Sequence, residues 1–177
     1  MRTKLFKLNS GRPSRRAISA AARVIKRGGL VAFPTETVYG LGASAFNARA
    51  VRRIFHAKGR PMDNPLIVHI SSISSLRRVV RKIPSDARKI MEKFWPGPLT
   101  LVFEKSPLVP DEVTAGLRSV GVRMPANKVA LTLIRAAGPI AAPSANLSGR
   151  PSPTNAKDVM QDLRGKVDVV LDAGPSR

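Results

Sequence analysis

The segment Ser14–Phe33, SRRAISAAARVIKRGGLVAF, predicts a helix, a stop signal and a strand in direct succession. Its apolar residues recur every three or four positions as far as Lys26, which is the spacing of a helix with one buried face. The pair Gly28-Gly29 then ends the helical pattern. The apolar run Leu30–Phe33 predicts a short buried strand, limited by Pro34. Helices and strands in alternation are the units of an α/β fold.

Helical and strand-like segments continue to alternate along the chain, without an internal repeat or a low-complexity stretch. This order predicts a mixed α/β sheet covered by helices, and it leaves the order of the strands open. Further helices are expected over Asn47–His56 (capped by Asn47), Ser74–Lys82, Ser85–Phe94, Asn127–Gly138 (capped by Asn127) and Thr154–Gly165 (capped by Thr154). Further strands are expected over Leu66–Ile70, Leu99–Phe103, Ser119–Arg123, Ile140–Ala142 and Val167–Leu171.

The composition suits one folded domain of 177 residues, with apolar residues making up 43% of the chain. No apolar run approaches the roughly 18 residues of a membrane span, and the basic N-terminal stretch lacks the apolar centre of a secretory signal. The absence of cysteine excludes disulfides, thiolate metal sites and cysteine nucleophiles. We therefore expect a single domain, residues 1–177, of a cytoplasmic protein that has no membrane contact.

Charge is the unusual property of this composition, because 31 Lys and Arg residues stand against 11 Asp and Glu residues and give a net charge of +20. A field of that sign attracts polyanions and speeds their arrival. Binding one triphosphate needs only about two or three cations, so most of the charge requires another explanation. Two explanations stay open: an RNA partner, and a solvated surface in a lineage whose proteins are generally basic.

The first polar motif, Phe33–Gly42 (FPTETVYGLG), leaves the first strand as a constrained turn. It brings two Thr hydroxyls, a carboxylate and a Tyr hydroxyl together where that strand ends. Ligands of open α/β sheets lie beyond the carboxyl ends of strands, which makes this motif a candidate binding segment. The alternative is a Thr-rich turn whose hydroxyls satisfy its own backbone.

Two further clusters, His56–Pro65 (HAKGRPMDNP) and Pro143–Pro151 (PSANLSGRP), place polar side chains among Gly and Pro beside apolar runs. Loops of this kind on a rigid scaffold are where binding residues concentrate. Lys58 offers phosphate a compact cation, Arg60 offers a planar fork, and Ser144–Asn146 adds neutral donors and acceptors. The clusters together predict two sides of a nucleotide site. The alternatives are a chance spacing of cations and an ordinary capped turn.

Two residues of the predicted strands, His69 and Arg123, carry further candidate chemistry. In Leu66–Ile70 the alternation of a strand puts His69 on the face opposite Val68. A lone His there is more often a packed, hydrogen-bonded residue than a catalyst. Arg123 stands at the end of its strand, where it can grip a carboxylate bidentately or pair with a surface acid.

Several common site types are excluded by their missing patterns. The glycines of Gly40–Ala45 do not open a helix directly after a strand, so they are not a dinucleotide fingerprint. The chain has no G-x-x-x-x-G-K-S/T sequence, so any nucleotide must be held without a P-loop. It also lacks a G-x-S-x-G elbow for a nucleophilic serine. With two His, no Cys and few acids, a metal cage built by the protein is not expected.

Taken in order, five segments of the chain resemble the YrdC/Sua5 family of L-threonylcarbamoyladenylate synthases. The resemblance runs from about Gly28 to Ser176, and the ordered set is specific where each motif alone is weak. It implies a twisted open mixed sheet flanked by helices, with a basic concave cavity. The segments are Phe33–Gly42, Ala57–Pro61 (AKGRP), Asn64–His69 (NPLIVH), Trp95–Thr100 (WPGPLT) and Pro143–Gly149 (PSANLSG).

The resemblance also implies an activity. Enzymes of this family join ATP, L-threonine and bicarbonate into threonylcarbamoyl-AMP and release pyrophosphate. A separate transferase complex then moves the threonylcarbamoyl group to an adenosine of tRNAs that read ANN codons. The implied partners are these substrates, the transferase complex, and tRNA or double-stranded RNA. ATP would enter as a substrate with Mg²⁺ carried by the nucleotide, and no structural metal is expected.

The resemblance assigns roles to the residues at the matching positions. Lys58 and Arg60 would be the catalytic cations that neutralise the transition state. ATP would contact Lys58, Arg60, Asn64, Ser119, Ser144, Asn146 and Ser152, and L-threonine would contact Thr35, Thr37, His69, Arg123 and the backbone at Ala142.

Departures from the family pattern keep a second hypothesis open. The sequence ends at Arg177, and from the resemblance we expect the chain to lack a segment with the motif S-T-V-V-D that contributes to the family's substrate site, and the extra C-terminal domain of the longer Sua5 type. A non-catalytic RNA-binding module on the same fold would suit both this ending and the net charge. Carbamoyl transfer, as in the related domain of hydrogenase-maturation proteins, fits less well because those larger chains carry zinc-binding cysteines.

Overall fold

Eight strands and seven helices occur in residues 2–176, the part of the chain that the computed structural model describes. The helices are α1 (Arg15–Lys26), α2 (Ala48–Lys58), α3 (Ile73–Val79), α4 (Ser85–Phe94), α5 (Asp111–Thr114), α6 (Lys128–Ala137) and α7 (Ala156–Leu163). The strands are β1 (Lys4–Lys7), β2 (Val31–Pro34), β3 (Tyr39–Ser44), β4 (Ile67–His69), β5 (Thr100–Glu104), β6 (Ser119–Arg123), β7 (Ile140–Ala141) and β8 (Val169–Asp172).

All eight strands form one mixed sheet in the order β1-β8-β2-β3-β7-β4-β6-β5. The pairs β1–β8, β8–β2 and β4–β6 are parallel, and the others are antiparallel. Helices α1 and α6 cover one face through a core that includes Phe33 and Leu133. Helices α2, α3 and α7 contribute to the core of the other face, which includes Ile54 and Val159. The predicted mixed α/β sheet flanked by helices is confirmed.

The part of the sheet made by β4, β6 and β5 is packed on one face only. In β6, Val120 and Val122 are buried, while the residues that alternate with them are partly exposed. The register pairs Gly121 with Ile67 on one side and with Val102 on the other, and Val102 is 69% exposed. Because side chains alternate between the two faces, these three residues lie on an uncovered surface. We call it the open face.

Helix α2 begins at its predicted cap but ends later than predicted. The side chain of Asn47 accepts a hydrogen bond from the backbone N–H of Ala50 at 3.0 Å. The helix then passes His56 and ends at Lys58, where Gly59 with φ 60° forms the C-cap. Glycine adopts this left-handed conformation without steric cost. The extension puts Lys58 in the last helical turn, which determines where its side chain can reach.

Strand β3 is the main element that the sequence analysis missed. The interpretation of this segment as a constrained turn holds for residues 35–38 and is wrong from Tyr39 onward, because Tyr39–Ser44 returns antiparallel to β2 as a hairpin and pairs Gly42 with Val31. Glycine is depleted in strands, which hides the strand pattern. Gly42 is nevertheless required, since a Cβ there would lie 2.6 Å from Cγ2 of Ile140 and 2.7 Å from Cε1 of Phe33.

The remaining differences are small. Strand β1 and helix α5 were not predicted, because β1 has a Lys at each end and no buried apolar run, and α5 is a single helical turn. Helix α7 is capped by Asn155 rather than Thr154, with the Asn155 side chain accepting from the N–H of Asp158 at 2.9 Å. Every predicted helix and strand is present, and its bounds lie within three residues of the expected ones.

Candidate functional site

Two parallel strands place His69 and Arg123 side by side. His69 of β4 is the register partner of Arg123 of β6, and Thr100 of β5 is the partner on the other side of Arg123. Register partners point to the same side of a sheet, and here that side is the one of the open face. The row lies at the carboxyl ends of β4 and β6, where ligands of open α/β sheets bind.

Three groups hold the guanidinium of Arg123. Its Nη2 donates to Oε1 of Glu36 at 2.6 Å and to Oγ1 of Thr37 at 3.2 Å, and its Nε donates to the carbonyl oxygen of Gly97 at 3.3 Å. The turn between β2 and β3 therefore meets the end of β6 at this side chain. Nη1 has no hydrogen-bond partner within residues 2–176, and its two N–H groups remain for an anion.

The two threonines of the hairpin turn differ in what their hydroxyls contact. Thr35 is buried, and its hydroxyl donates to the carbonyl of Val38 at 2.7 Å while accepting from the N–H groups of Thr37 and Val38. These bonds make it part of a self-satisfied turn, the alternative that the motif also allowed. The Thr37 hydroxyl lies 3.1 Å from the Thr35 hydroxyl and also accepts from Nη2 of Arg123. Thr37 therefore lies at the site, and the hydrogen bonds of Thr35 hold the turn that carries it.

His69 is a buried and uncharged neighbour of Arg123. Its ring meets Phe33 edge-on, with 6.3 Å between the ring centroids, and the residue is 5% exposed. Burial, followed by the positive charge of Arg123, lowers the pKa of His69 to about 4. Its Nδ1 is buried without a hydrogen-bond partner among residues 2–176. The position agrees with a packed histidine, and the free nitrogen leaves one hydrogen bond for a ligand.

Lys58 joins the two polar clusters that the sequence separates. It is only 2% exposed, and its ammonium donates to the carbonyl oxygens of Ser144 at 2.5 Å and Asn146 at 2.6 Å. In return, the N–H of Ser148 donates to the carbonyl of Lys58 at 2.9 Å. Burial, and then the nearby charge of Arg60, lower the pKa of Lys58 to about 8. One ammonium thereby links segments 86 residues apart.

Arg60 adds a second cation directly after the end of α2. Its backbone N–H donates to the carbonyl of Phe55 at 3.0 Å, and its Nη2 donates weakly to the carbonyl of Asn64 at 3.4 Å. Its Nε is buried without a partner within the described part of the chain. Asn64 itself is exposed. A guanidinium with unfilled donors beside a buried ammonium suits a polyphosphate.

Asn146 fixes the shape of the loop that faces Lys58. Its Nδ2 donates to the carbonyls of Leu147 at 2.8 Å and Arg150 at 2.7 Å. Its Oδ1 is buried and has no partner among residues 2–176. Ser144, at the start of the same loop, forms an isolated bridge with Gly40 of the hairpin. The loop is therefore anchored on both sides.

The predicted residues fall into two groups along β4. Ser119 begins β6, four residues and roughly 13 Å along the strand from Arg123. Extending the β4–β6 register puts Ser119 beside Pro65, at the amino end of β4. Ser144 lies toward the same end, because β7 runs antiparallel to β4 and the N–H of Ala142 donates to the carbonyl of Ile67 at 3.0 Å. Ser152 is exposed in a neighbouring loop.

Glu36 is the site residue to which the sequence analysis gave no role. Burial opposes ionisation of its carboxyl group, but the hydrogen bond and charge of Arg123, together with the N–H groups of Glu36 and Ala126, outweigh burial and lower the pKa of Glu36. The carboxyl group is therefore ionised at neutral pH. Its signal in the sequence was an acid between two threonines in a chain with few acids.

No group of three His, Asp or Glu side chains that could hold a metal ion occurs within residues 2–176. Over the same residues, no helix has both the length and the apolar character that crossing a membrane requires.

Known proteins resemble this chain along nearly its whole length. Residues 23–177 match the sequence model of the Sua5/YciO/YrdC family, which is described as "Telomere recombination". The chain is 56% identical over 161 residues to the threonylcarbamoyl-AMP synthase of Pyrococcus abyssi, covering 90% of this chain and 47% of that protein. It is 53% identical to the threonylcarbamoyl-AMP synthase of Bacillus subtilis, covering 90% of this chain and 46% of that protein. The chain thus spans about half the length of these curated relatives.

Solved structures agree with this similarity. Pyrococcus abyssi Sua5 complexed with L-threonine superposes with a TM-score of 0.96 at 52% identity, over 99% of this chain and 52% of that one. Escherichia coli YciO has the same fold, with a TM-score of 0.88 at 23% identity over 98% of this chain and 85% of that one. Sequence and fold together establish that the chain belongs to the Sua5/YciO/YrdC family.

Proposed function

We propose that this chain catalyses the formation of threonylcarbamoyl-AMP and pyrophosphate from L-threonine, bicarbonate and ATP. The observation that carries the proposal is the placement of two cations along one strand, β4. Arg123 lies beside the carboxyl end of β4, and the buried ammonium of Lys58 donates to Ser144, which lies toward the amino end. The similarity to proteins named threonylcarbamoyl-AMP synthase supports these substrates.

The reaction requires positioning and charge neutralisation, and no covalent enzyme intermediate. The ammonium group of bound threonine gives a proton to solvent, and the resulting neutral amine attacks the carbon of bicarbonate. Water leaves, and a carbamate forms on the nitrogen. A carbamate oxygen then attacks the α-phosphorus of ATP, and the bond from that phosphorus to the pyrophosphate oxygen breaks. Holding the two reactants in line supplies much of the acceleration, and fixed cations stabilise the charge that develops on the phosphate oxygens.

Each subsite has a role in this scheme. Lys58 and Arg60 would bind the phosphates and act as the catalytic cations, while Arg123 and the Thr37 hydroxyl would hold threonine beside the neutral His69. Mg²⁺ is proposed to arrive on the nucleotide. Further ATP contacts are proposed for Asn64, Ser119, Ser144, Asn146 and Ser152, and further threonine contacts for Thr35 and the backbone at Ala142.

The purified chain is expected to form threonylcarbamoyl-AMP when incubated with ATP, L-threonine and bicarbonate. Mass analysis of the product and a pyrophosphate assay measure the reaction. Arg60→Ala should lose most of the product. Arg81→Ala, which removes an exposed arginine paired with Glu104 on the far side of β5, is the matched control and should retain it. A folded wild-type chain that makes neither product would contradict the proposal.

A second proposal concerns RNA, which the net charge favours. Two clefts of about 480 Å³ and 510 Å³ lie on either side of Arg53 and have cationic linings. Arg53 itself forms a salt bridge with Asp168. We propose that an RNA phosphate backbone lies along these clefts, and that the product passes to a separate transferase acting on tRNA. The other titratable residues lining the clefts are Arg27, Arg49, His56 and Lys166.

RNA binding should weaken steeply with salt, because each neutralised phosphate releases a counterion. Arg49→Ala and Lys166→Ala are each expected to reduce the slope of log affinity against log salt concentration by about one. Arg81→Ala removes the same charge elsewhere and should leave the slope unchanged. Equal slopes for all three variants, measured with a tRNA by filter binding, would contradict these clefts as the RNA surface.

A further inference from the structure

The contact between Glu36 and Arg123 fills only part of each group's hydrogen-bonding capacity. One carboxylate oxygen, Oε1, accepts from Nη2 of Arg123, while the other, Oε2, has no partner among residues 2–176. The side chains are 21% and 11% exposed, so the pair is largely shielded from water at the edge of the open face. A ligand that reaches the free Nη1 of Arg123 therefore arrives beside a negative charge.

That negative charge makes the pair selective among carboxylates. A plain carboxylate bound to Nη1 of Arg123 is repelled by Glu36 on Nη2 of the same guanidinium, because like charges this close together interact strongly where water is largely excluded. An amino acid carries an ammonium group one carbon away from its carboxylate, and this group offsets the repulsion. The pair is therefore complementary to a zwitterion, because Arg123 faces its carboxylate and Glu36 faces its ammonium group.

We propose that Glu36 is the specificity-determining residue for a free α-ammonium group on the ligand of Arg123. The inference rests on the proposed function for the identity of the amino acid, and it applies to the same subsite. Glu36 acts through its charge and needs no direct hydrogen bond to the ligand. In the described structure, Glu36 is also the acid that contacts the guanidinium of Arg123.

Glu36 has two other conceivable roles, and both predict different results. If it only holds Arg123 in place, its removal weakens every ligand of Arg123 by the same factor. If it only occupies the anion site until a ligand displaces it, its removal strengthens every such ligand by the same factor. Selectivity for the ammonium group instead predicts that removing Glu36 changes the ratio of two affinities, that for a ligand with the ammonium group and that for a ligand without it.

The test compares L-threonine with 3-hydroxybutanoate, which keeps the carboxylate and the β-hydroxyl but lacks the amine. Equilibrium dialysis of the wild-type chain should show L-threonine binding at least about tenfold more tightly, the scale of one charge–charge contact near a protein surface. In Glu36→Gln, which keeps the shape of the side chain, this ratio should fall to about one. Glu112→Gln removes an equal charge from a salt bridge with Arg52 and should keep the wild-type ratio.

Each outcome separates this inference from the proposed function. A wild-type chain that binds both ligands equally, or a Glu36→Gln variant that keeps the wild-type ratio, overturns the role of Glu36 while the synthase proposal stands. A wild-type chain that binds no L-threonine overturns both. A wild-type ratio of affinities near one overturns the inference without any variant, so the inference can fail even where Glu36→Gln does not fold.

Discussion

Lys58→Ala is expected to weaken ATP binding by roughly a hundredfold, the scale of a lost charge-assisted phosphate contact, and also to destabilise the fold. The second effect arises because the ammonium is the donor to two carbonyl oxygens, those of Ser144 and Asn146. Leaving these buried groups unpaired costs about 1–3 kcal/mol each. Binding follows from isothermal calorimetry, and stability follows from urea unfolding.

Arg60→Ala and Lys82→Ala separate the two effects of Lys58. Arg60 makes only a weak side-chain contact at 3.4 Å, so its removal should weaken ATP binding while the free energy of unfolding changes by less than about 0.5 kcal/mol. Lys82 is exposed after α3, and its removal should change neither quantity. A Lys58→Ala variant with wild-type stability would show that the two carbonyl contacts contribute nothing to the fold.

The pH dependence of ATP binding tests whether the charge of Lys58 contributes to it. Burial lowers the pKa of Lys58 to about 8, so its ammonium is charged at pH 7 and loses its proton as the pH rises through that value. Phosphate binding favours the charged form, so ATP affinity should be constant below about pH 7 and fall above about pH 8. Arg60→Ala should keep this fall but move it to higher pH, because the charge of Arg60 contributes to the lowered pKa of Lys58. Lys58→Ala should abolish the fall. A wild-type affinity that stays level to pH 9.5 would contradict the assignment.

Arg123→Ala is expected to reduce L-threonine affinity by about a hundredfold or more, while ATP affinity changes by less than about threefold. The loss has two sources: the guanidinium no longer binds the carboxylate, and Glu36 is left without its cation. The distance along the sheet to the Lys58 subsite explains why ATP binding should be spared. Equilibrium dialysis with each ligand measures the two effects separately.

Arg123→Lys is the matched control for that variant. It keeps a positive charge next to Glu36 but loses the planar fork, so it should recover part of the affinity and not all of it. Full recovery would mean that charge alone binds the ligand. An Arg123→Ala variant that retains wild-type L-threonine affinity would exclude Arg123 from the carboxylate site.

Local pattern predicted most of the elements, because helices such as α4 and α6 have clear periodicity and clear ends. It could not predict β3, where close packing against Phe33 and Ile140 leaves no room for a Cβ at Gly42, although glycine has low strand propensity. It also missed that Lys58 is buried, since the helix was expected to end two residues earlier. Such contacts depend on tertiary packing, which overrides local preference.

The candidate site residues could be named from the sequence, but their arrangement could not. The pairing of His69 with Arg123 depends on the parallel register of β4 and β6, and nothing in either strand specifies its partner. The division of the candidate residues into one group at the amino end of β4 and another at its carboxyl end became clear only once the order of the strands was known. Glu36 was visible as a motif residue, and its contact with Arg123 gave it a role.

The shortest strand has a consequence for how binding and folding are coupled. Strand β7 has two residues, yet it joins the part of the sheet that carries the hairpin turn to the part that carries β4 and β6. Separating the two parts at β7 would dismantle the site. Any ligand that needs both parts must therefore stabilise the joined state, by RT ln(1 + [L]/Kd). Ligand binding would act as a reversible cross-link at the narrowest point of the sheet.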